Sequence, residues 1–177
     1  GDDVRSSPAV ADLDKNNSLE LIIGSHDGSL HILSGFGQQL AIHQINGSIN
    51  GSPAAVDLDQ DGDLEVVFTS YNGGTGDVHA IHHDGSTFYG YPVVLNEKMV
   101  GGAAAGDLDG DGFPEVVVCT DDDNVYAIKK DGSIMTGFPF TSTDRFYNAP
   151  TLVDLDGDSD LEIVVGNKAG ILQVLHH

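Results

Sequence analysis

The sequence predicts an all-β fold, a segment of a β-propeller built from four-stranded antiparallel blades. One acidic segment of nine residues occurs four times, at 12–20, 57–65, 107–115 and 154–162. A short run of β-branched or aliphatic residues follows each copy, and the apolar 3.6-residue periodicity of a helix is missing throughout. Repeats spaced 45 to 50 residues apart, each with four short strands, are typical of propeller blades.

Each repeat predicts its strands in the same order. The first strand precedes the acidic segment and follows Pro8, Pro53, Ala103 or Pro150. The second strand is the run directly after the segment: LIIG, VVFT, VVVC and IVVG. The third strand is LHIL (30–33), VHAI (78–81), VYAI (125–128) and LQVL (172–175). The pairs Asp84-Gly85 and Asp131-Gly132 favour hairpin turns that lead to a less regular fourth strand.

We expect one domain over residues 1–177, with blades at approximately 4–48, 49–98, 99–145 and 146–177. The last blade lacks its fourth strand, because the sequence stops at His177 where the aligned second repeat continues with Asp84-Gly85. A single blade cannot bury both of its faces, so stacking of blades supplies the core. An open arc of four blades leaves an apolar face at each end, and we expect self-association or docking to further blades of a longer parent.

The acidic segments predict cation-binding loops. Positions 1, 3 and 5 carry oxygen-containing side chains, position 9 is glutamate, and position 6 is glycine in two copies, where a sharp turn favours positive φ. Together with position 7 these oxygens form a cage suited to calcium. The expected ligands of up to four calcium ions are Asp12, Asp14, Asn16, Ser18 and Glu20; Asp57, Asp59, Asp61, Asp63 and Glu65; Asp107, Asp109, Asp111, the Phe113 carbonyl and Glu115; and Asp154, Asp156, Asp158, Asp160 and Glu162.

An EF-hand, a magnesium or zinc site and a solvated turn each fit these segments less well than a calcium loop does. An EF-hand needs glutamate at position 12 and flanking helices, whereas position 12 here is Ile23, Phe68, Val118 or Val165 within a strand. Magnesium favours strict octahedral geometry, and zinc favours nitrogen or sulfur ligands, which none of the segments offers. Merely solvated turns would not concentrate 17 of the 28 acidic residues in four segments of one spacing.

The pattern D-x-D-x-D-G-x-x-E at the entrance of a β-branched strand resembles the FG-GAP repeat of the integrin α-subunit propeller. It is closer still to the related bacterial repeats called VCBS, and the resemblance covers essentially the whole chain. The phrase DGSTFYGYP (84–92), echoed by DGSIMTGFP (131–139), is similar to a fourth-strand motif of secreted bacterial members. The resemblance implies a secreted, extracellular or cell-surface protein whose calcium ions lie in the loops between strands 1 and 2.

Composition and motifs argue against several functions. A formal net charge of −21 with only seven lysine and arginine residues disfavours nucleic acid and anionic membranes, and no apolar stretch is long enough for membrane insertion. Nucleophile-elbow, phosphate-loop and H-E-x-x-H motifs are missing, so we expect no enzymatic activity. The opening Gly-Asp-Asp shows no signal peptide and favours a mature chain or an excised piece. His31 and His79 share a strand position with Tyr126 and Gln173, which favours a structural role.

The sequence therefore favours a calcium-stabilised extracellular binding or adhesion module with a protein or glycan ligand. Weak calcium sites suit the millimolar calcium found outside cells. Two alternatives stay open: an accessory propeller segment of a secreted hydrolase or polysaccharide lyase, and a lectin-like propeller that binds glycans. The loops between strands 1 and 2 and between strands 3 and 4 share one end of a blade. We therefore expect partners at the other end, near Arg5, Asn50, Tyr71, Asn72, Thr75, Asp121, Asp122, Asp123, Tyr147 and Asn148.

Overall fold

The computed structural model describes residues 3–176 and places fifteen strands in four antiparallel sheets, which we call blades 1 to 4. Blade 1 contains β1 (Ala9–Ala11), β2 (Glu20–Gly24), β3 (Ser29–Ser34) and β4 (Gln39–Gln44). Blade 2 contains β5 (Ala54–Val56), β6 (Glu65–Asn72), β7 (Thr75–Ile81) and β8 (Val93–Val94). In both blades the strands lie side by side in chain order.

Blades 3 and 4 follow the same order. Blade 3 contains β9 (Ala104–Gly106), β10 (Glu115–Cys119), β11 (Asn124–Ile128) and β12 (Phe140–Thr141). Blade 4 contains three strands within the described residues, β13 (Thr151–Val153), β14 (Glu162–Gly166) and β15 (Leu172–Leu175). The predicted all-β propeller architecture is confirmed, and the four blades form an open arc. Residues 3–176 contain no helix that could span a membrane.

The acidic segments connect the first and second strands of each blade. The glutamate at position 9 opens the second strand and pairs with the last residue of the first strand, as in Ala11 with Glu20 and Val56 with Glu65. In blade 1 the same glutamate also pairs on its other side with the residue after the third-strand run, Glu20 with Ser34. This register carries each acidic loop on one end of its blade.

The hydrophobic core consists of three layers, one between each pair of neighbouring blades. In blade 3, Val117 packs toward blade 4, whereas Val116 and Val118 pack toward blade 2. Because side chains alternate along a strand, a strand between two blades must be apolar on both faces. This explains why the second-strand runs show no alternation of polar and apolar residues.

Candidate metal centres

Each acidic loop is held by a buried glutamate at position 9. Its Oε2 accepts a hydrogen bond from the backbone N–H of the leucine at position 2 in all four loops. The N···O distances are 2.9 Å for Leu13–Glu20, 2.9 Å for Leu58–Glu65, 3.0 Å for Leu108–Glu115 and 2.8 Å for Leu155–Glu162. All four glutamates are buried, and this contact closes the loop across seven residues.

The side chains at positions 3 and 5 also bind the loop backbone through one oxygen each. The position 5 side chain accepts the N–H of position 7 in every loop, at 2.7 to 3.1 Å. The position 3 carboxylate accepts the N–H of position 5 at 3.2 Å in the first three loops. The second oxygen of Asp14 accepts a hydrogen bond from Asn16 Nδ2 at 2.9 Å, and that of Asp109 accepts one from Lys129 Nζ at 2.6 Å.

Two left-handed residues turn the chain within each loop. Position 6 has positive φ, as the two glycines there predict; the residues are Asn17 (67°), Gly62 (103°), Gly112 (93°) and Ser159 (83°). Position 4 is also left-handed, which we did not predict from the sequence; the residues are Lys15 (55°), Gln60 (65°), Gly110 (69°) and Gly157 (83°). The available signal was glycine at position 4 in two of the four copies.

The loops bring carboxylate oxygens together at four places. Three acidic side chains per loop offer oxygens within 4.8 Å of one another: Asp12, Asp14 and Glu20; Asp57, Asp59 and Asp61; Asp107, Asp109 and Glu115; and Asp154, Asp156 and Asp158. A second group in the fourth loop joins Asp156 and Glu162 to His176. The other acidic residues predicted as ligands lie in the same loops but outside these groups; they are Asp63, Glu65, Asp111 and Asp160.

The remaining predicted ligands, Asn16, Ser18 and Phe113, take part in the loop hydrogen bonds. The N–H groups of Asn16 and Ser18 donate to the side chains of Asp14 and Asn16, and the N–H of Phe113 donates to Asp111. These residues therefore shape the loop through their backbone, as positions 5 and 7 do elsewhere.

The first aspartate of three loops has a buried oxygen without a hydrogen bond. The Oδ1 atoms of Asp12, Asp57 and Asp107 have no hydrogen-bond partner within residues 3–176. A buried carboxylate oxygen is costly unless a donor or a metal ion satisfies it. An all-oxygen donor set of this kind suits a hard cation such as calcium, so the residues present fit that ion. In the fourth loop Asp154 is exposed, and its Oδ1 accepts the Gly157 N–H at 2.7 Å.

A basic side chain lies beside three of the loops, at the residue that follows the third-strand run. His82 Nδ1 lies 3.1 Å from Glu65 Oε1, and His176 Nδ1 lies 3.3 Å from Glu162 Oε1. Lys129 Nζ lies 2.6 Å from Asp109 Oδ2 and 3.9 Å from Glu115 Oε1. We did not predict these contacts from the sequence, although the alignment of the residues after the third strands contained the signal. These contacts show that the loop between strands 1 and 2 and the connection after strand 3 lie at the same end of the blade, as expected.

Burial and nearby carboxylates raise the pKa of two of the position 9 glutamates. Burial raises the pKa of Glu65 and Glu115, although the N–H groups of Leu58 and Leu108 oppose the shift. The hydrogen bond to Asp109 raises the pKa of Lys129. The loops therefore hold partly desolvated carboxylates that gain from a nearby positive charge.

His79 shows how a histidine outside the loops is used. Its Nε2 lies 2.9 Å from Ser70 Oγ, and its ring stacks on Phe68 with centroids 4.8 Å apart. Burial, with a smaller effect of His43, lowers the pKa of His79 to about 4. Both Ser70 and His79 are buried within the packing of blades 1 and 2, which is the structural role that the sequence predicts.

Several residues at the opposite end of the blades connect neighbouring repeats. Lys98 Nζ lies 2.8 Å from Asp121 Oδ2, Arg145 Nη1 lies 3.7 Å from Asp121 Oδ1, and the Lys98 N–H donates to Asp122. The Asp123 carbonyl accepts the Ser142 N–H at 2.7 Å. The acidic run 121–123, which we expected at a partner-binding face, therefore makes contacts within the protein.

Known proteins share this fold. The chain superposes on BamB from Moraxella catarrhalis with a TM-score of 0.67 and 16% identity, covering 98% of this chain and 47% of that one. For BBS1N in complex with ARL6DN the TM-score is 0.71, with 13% identity and coverage of 98% and 51%. For the computationally designed Ika4 protein the TM-score is 0.64 with 15% identity, and the match covers 99% of this chain and 91% of that one. The chain thus spans about half the length of the BamB and BBS1N chains, and these likenesses show the fold alone.

Sequence comparison identifies the repeat. No curated protein matches the chain. The model of the FG-GAP-like repeat matches residues 57–118 and again residues 107–165, so that the matches cover more than half of the 177 residues and include three of the four acidic loops. The chain belongs to the FG-GAP-like repeat family.

Proposed function

We propose that this chain is a calcium-stabilised extracellular binding or adhesion module without catalytic activity. The observation that carries the proposal is the buried Oδ1 atom of Asp12, Asp57 and Asp107, which has no hydrogen-bond partner within residues 3–176 and lies among other carboxylates. A buried, unpaired carboxylate oxygen is retained at a cost unless a ligand satisfies it.

The loop residues divide the work of holding the ion. Asp107 and Asp109 each use one oxygen to bind the loop backbone, while Glu115 fixes the loop to the start of β10. The other oxygen of Asp107 has no hydrogen-bond partner within residues 3–176, and the other oxygen of Asp109 lies 2.6 Å from Lys129 Nζ, a contact that a bound ion would replace. A bound calcium ion would neutralise these carboxylates and tie the first strand to the second. In the other loops the position 9 glutamate binds the leucine N–H in the same way, whereas both oxygens of the more exposed Asp154 accept loop N–H groups.

The extracellular setting follows from the strength expected of such sites. Calcium sites of extracellular modules have dissociation constants of about 10⁻⁴–10⁻³ M. Such sites are about half to mostly occupied at the millimolar calcium found outside cells and empty at cytosolic calcium levels. With one end of the blades occupied by the ions, the opposite end is free for a protein or glycan ligand. Tyr147 is exposed at that end, with its ring centroid 5.9 Å from Lys168 Nζ, and is one candidate residue for contact with the ligand.

Calorimetric titration of the chelator-treated protein tests the proposal. We expect calcium to bind with dissociation constants of about 10⁻⁴–10⁻³ M and to raise the melting temperature, and magnesium at equal concentration to do neither. Metal analysis of the starting material checks that the chelator has removed bound metal before the titration. Absence of binding heat together with an unchanged melting temperature at about 10 mM calcium, well above that range, would overturn the proposal.

A further inference from the structure

The outer face of blade 4 exposes the side chains that the other blades bury against their successors. Leu155, at position 2 of the fourth loop, is 56% exposed. Its counterparts Leu13, Leu58 and Leu108 are 1%, 0% and 0% exposed, and each packs in the layer toward the next blade. The exposure of Leu155 therefore comes from a missing neighbour and not from its place in the repeat.

The third strand of blade 4 repeats this difference. Leu172 and Val174 of β15 are 71% and 41% exposed. The residues at the position of Leu172 in blades 1 to 3 are all 0% exposed; they are Leu30, Val78 and Val125. The residues at the position of Val174 are at most 1% exposed; they are Ile32, Ala80 and Ala127. Blade 4 thus exposes the loop and third-strand positions that pack on the next blade elsewhere, a surface that we call the forward face (Leu155, Leu172 and Val174).

The outer face of blade 1 exposes the matching set. Val4 is 56% exposed, whereas its counterparts Ile49, Met99 and Phe146 are 0%, 1% and 2% exposed and pack on the preceding blade. Leu19, at position 8 of the first loop, is 57% exposed. Its counterparts Leu64 and Leu161 are partly buried against the preceding blade. We call this surface the backward face (Val4 and Leu19).

Within the chain a forward face always meets a backward face. At the boundary of blades 1 and 2, Leu13 and Leu64 share one hydrophobic layer, and the Leu64 N–H donates to the Leu13 carbonyl at 2.8 Å. At the boundary of blades 3 and 4, Leu108 and Leu161 share a layer in the same way. The interface is therefore directional, and the one chain carries both of its halves uncovered.

We propose that two copies of this chain associate head to tail, the forward face of each on the backward face of the other, to form a closed ring of eight blades. The contact continues an interface that the chain already makes three times, and a second copy supplies both missing halves at once. This association does not depend on the proposed function.

Light scattering after size-exclusion chromatography, over a range of protein concentrations at physiological salt, tests the proposal. We expect a mass of about twice 18.6 kDa. Leu155→Asp and Leu19→Asp should each weaken dimerisation at least tenfold, because each places a carboxylate in both interfaces of the ring. Val94→Asp is the matched control, because Val94 of β8 is also 56% exposed but lies on an internal blade. Circular dichroism of each variant checks that it folds.

A mixture of the two variants distinguishes head-to-tail association from a symmetric contact. In a mixed pair, the unchanged Leu155 of one copy meets the unchanged Leu19 of the other, so one interface is intact and dimer should partly return. A monomeric wild-type chain, a dimer that resists both variants, or a dimer that responds to only one of them would overturn the proposal.

Discussion

Replacing Asp107 by asparagine should change the stability of the protein in opposite directions without and with calcium. Asp107 Oδ1 is buried without a partner within residues 3–176, and its carboxylate lies within 4.8 Å of those of Asp109 and Glu115. Two charges at that distance repel by about 1 kcal/mol in water and about 3 kcal/mol near a protein surface. Lys129 offsets part of this repulsion. Without calcium, Asp107→Asn should therefore raise the free energy of unfolding by about 1–2 kcal/mol.

With calcium the same change removes a ligand. At the tighter end of the proposed range, a dissociation constant of about 10⁻⁴ M, 10 mM calcium is a hundredfold excess and adds about 2.7 kcal/mol to the free energy of unfolding, most of which the variant should lose. The variant should then be less stable than the wild type by about 1 kcal/mol, a fall of roughly 2–4 °C in melting temperature for a chain of this size. Urea denaturation in chelator and in about 10 mM calcium measures both differences.

Asp123→Asn is the control for the change of charge. Asp123 lies in the connection of β10 and β11 with φ of 72°, a conformation that asparagine also accepts. Its effect should be the same in chelator and in calcium. If Asp107→Asn lowers stability equally under both conditions, the aspartate serves only to shape the loop through the hydrogen bond from the Gly112 N–H, and the reasoning about the cation cage is wrong.

Two further predictions concern protonation and backbone strain. Because the pKa of buried His79 is lowered from 6.5 to about 4, the stability that its neutral form provides is present above pH 6.5 and is lost as the pH falls toward 4. At about 1.36 kcal/mol per unit the loss at pH 5 is about 2 kcal/mol, so His79→Gln should reduce the difference between denaturation curves at pH 8 and pH 5, and an unchanged difference would contradict the shift. Ser159→Gly should raise the free energy of unfolding by about 1 kcal/mol, because Ser159 has φ of 83°. Asn17→Gly should gain less, because asparagine tolerates its φ of 67°, and equal gains would show that strain is not the cause.

The sequence predicts the loops well because their spacing is a local property. The glutamate at position 9 fixes where the second strand begins, so the register of Ala11 with Glu20 follows from the repeat alone. The left-handed backbone at position 4 is harder to predict, because Lys15 and Gln60 hide a requirement that Gly110 and Gly157 display. A non-glycine residue at a left-handed position gives no sign of that conformation in the sequence of its own repeat.

Contacts between distant parts of the repeat could not be predicted in the same way. Lys129 contacts Asp109, 20 residues away in sequence, because the residue after β11 lies beside the acidic loop. The placement of the acidic run 121–123 at a partner-binding end stays a prediction, but the contact of Asp121 with Lys98, 23 residues away in sequence, was not predicted. The sequence shows that these lysines and aspartates are charged, but it does not show which of them form ion pairs in the folded protein.

The acidic segment joins two tasks on one turn of chain. Its odd positions carry the oxygens of the cage. At position 2, Leu13, Leu58 and Leu108 pack toward the following blade, and at position 8, Leu64 and Leu161 pack toward the preceding one. The hydrogen bond between Glu20 and the Leu13 N–H shows the link, because the buried carboxylate at position 9 holds the backbone of the leucine at the blade interface. A cation that neutralises the loop would therefore steady the packing of both neighbouring blades, and its loss would loosen two layers of the core. Each blade carries its own acidic loop, so a cation bound in each loop would stabilise the interfaces between blades that no single blade could form alone.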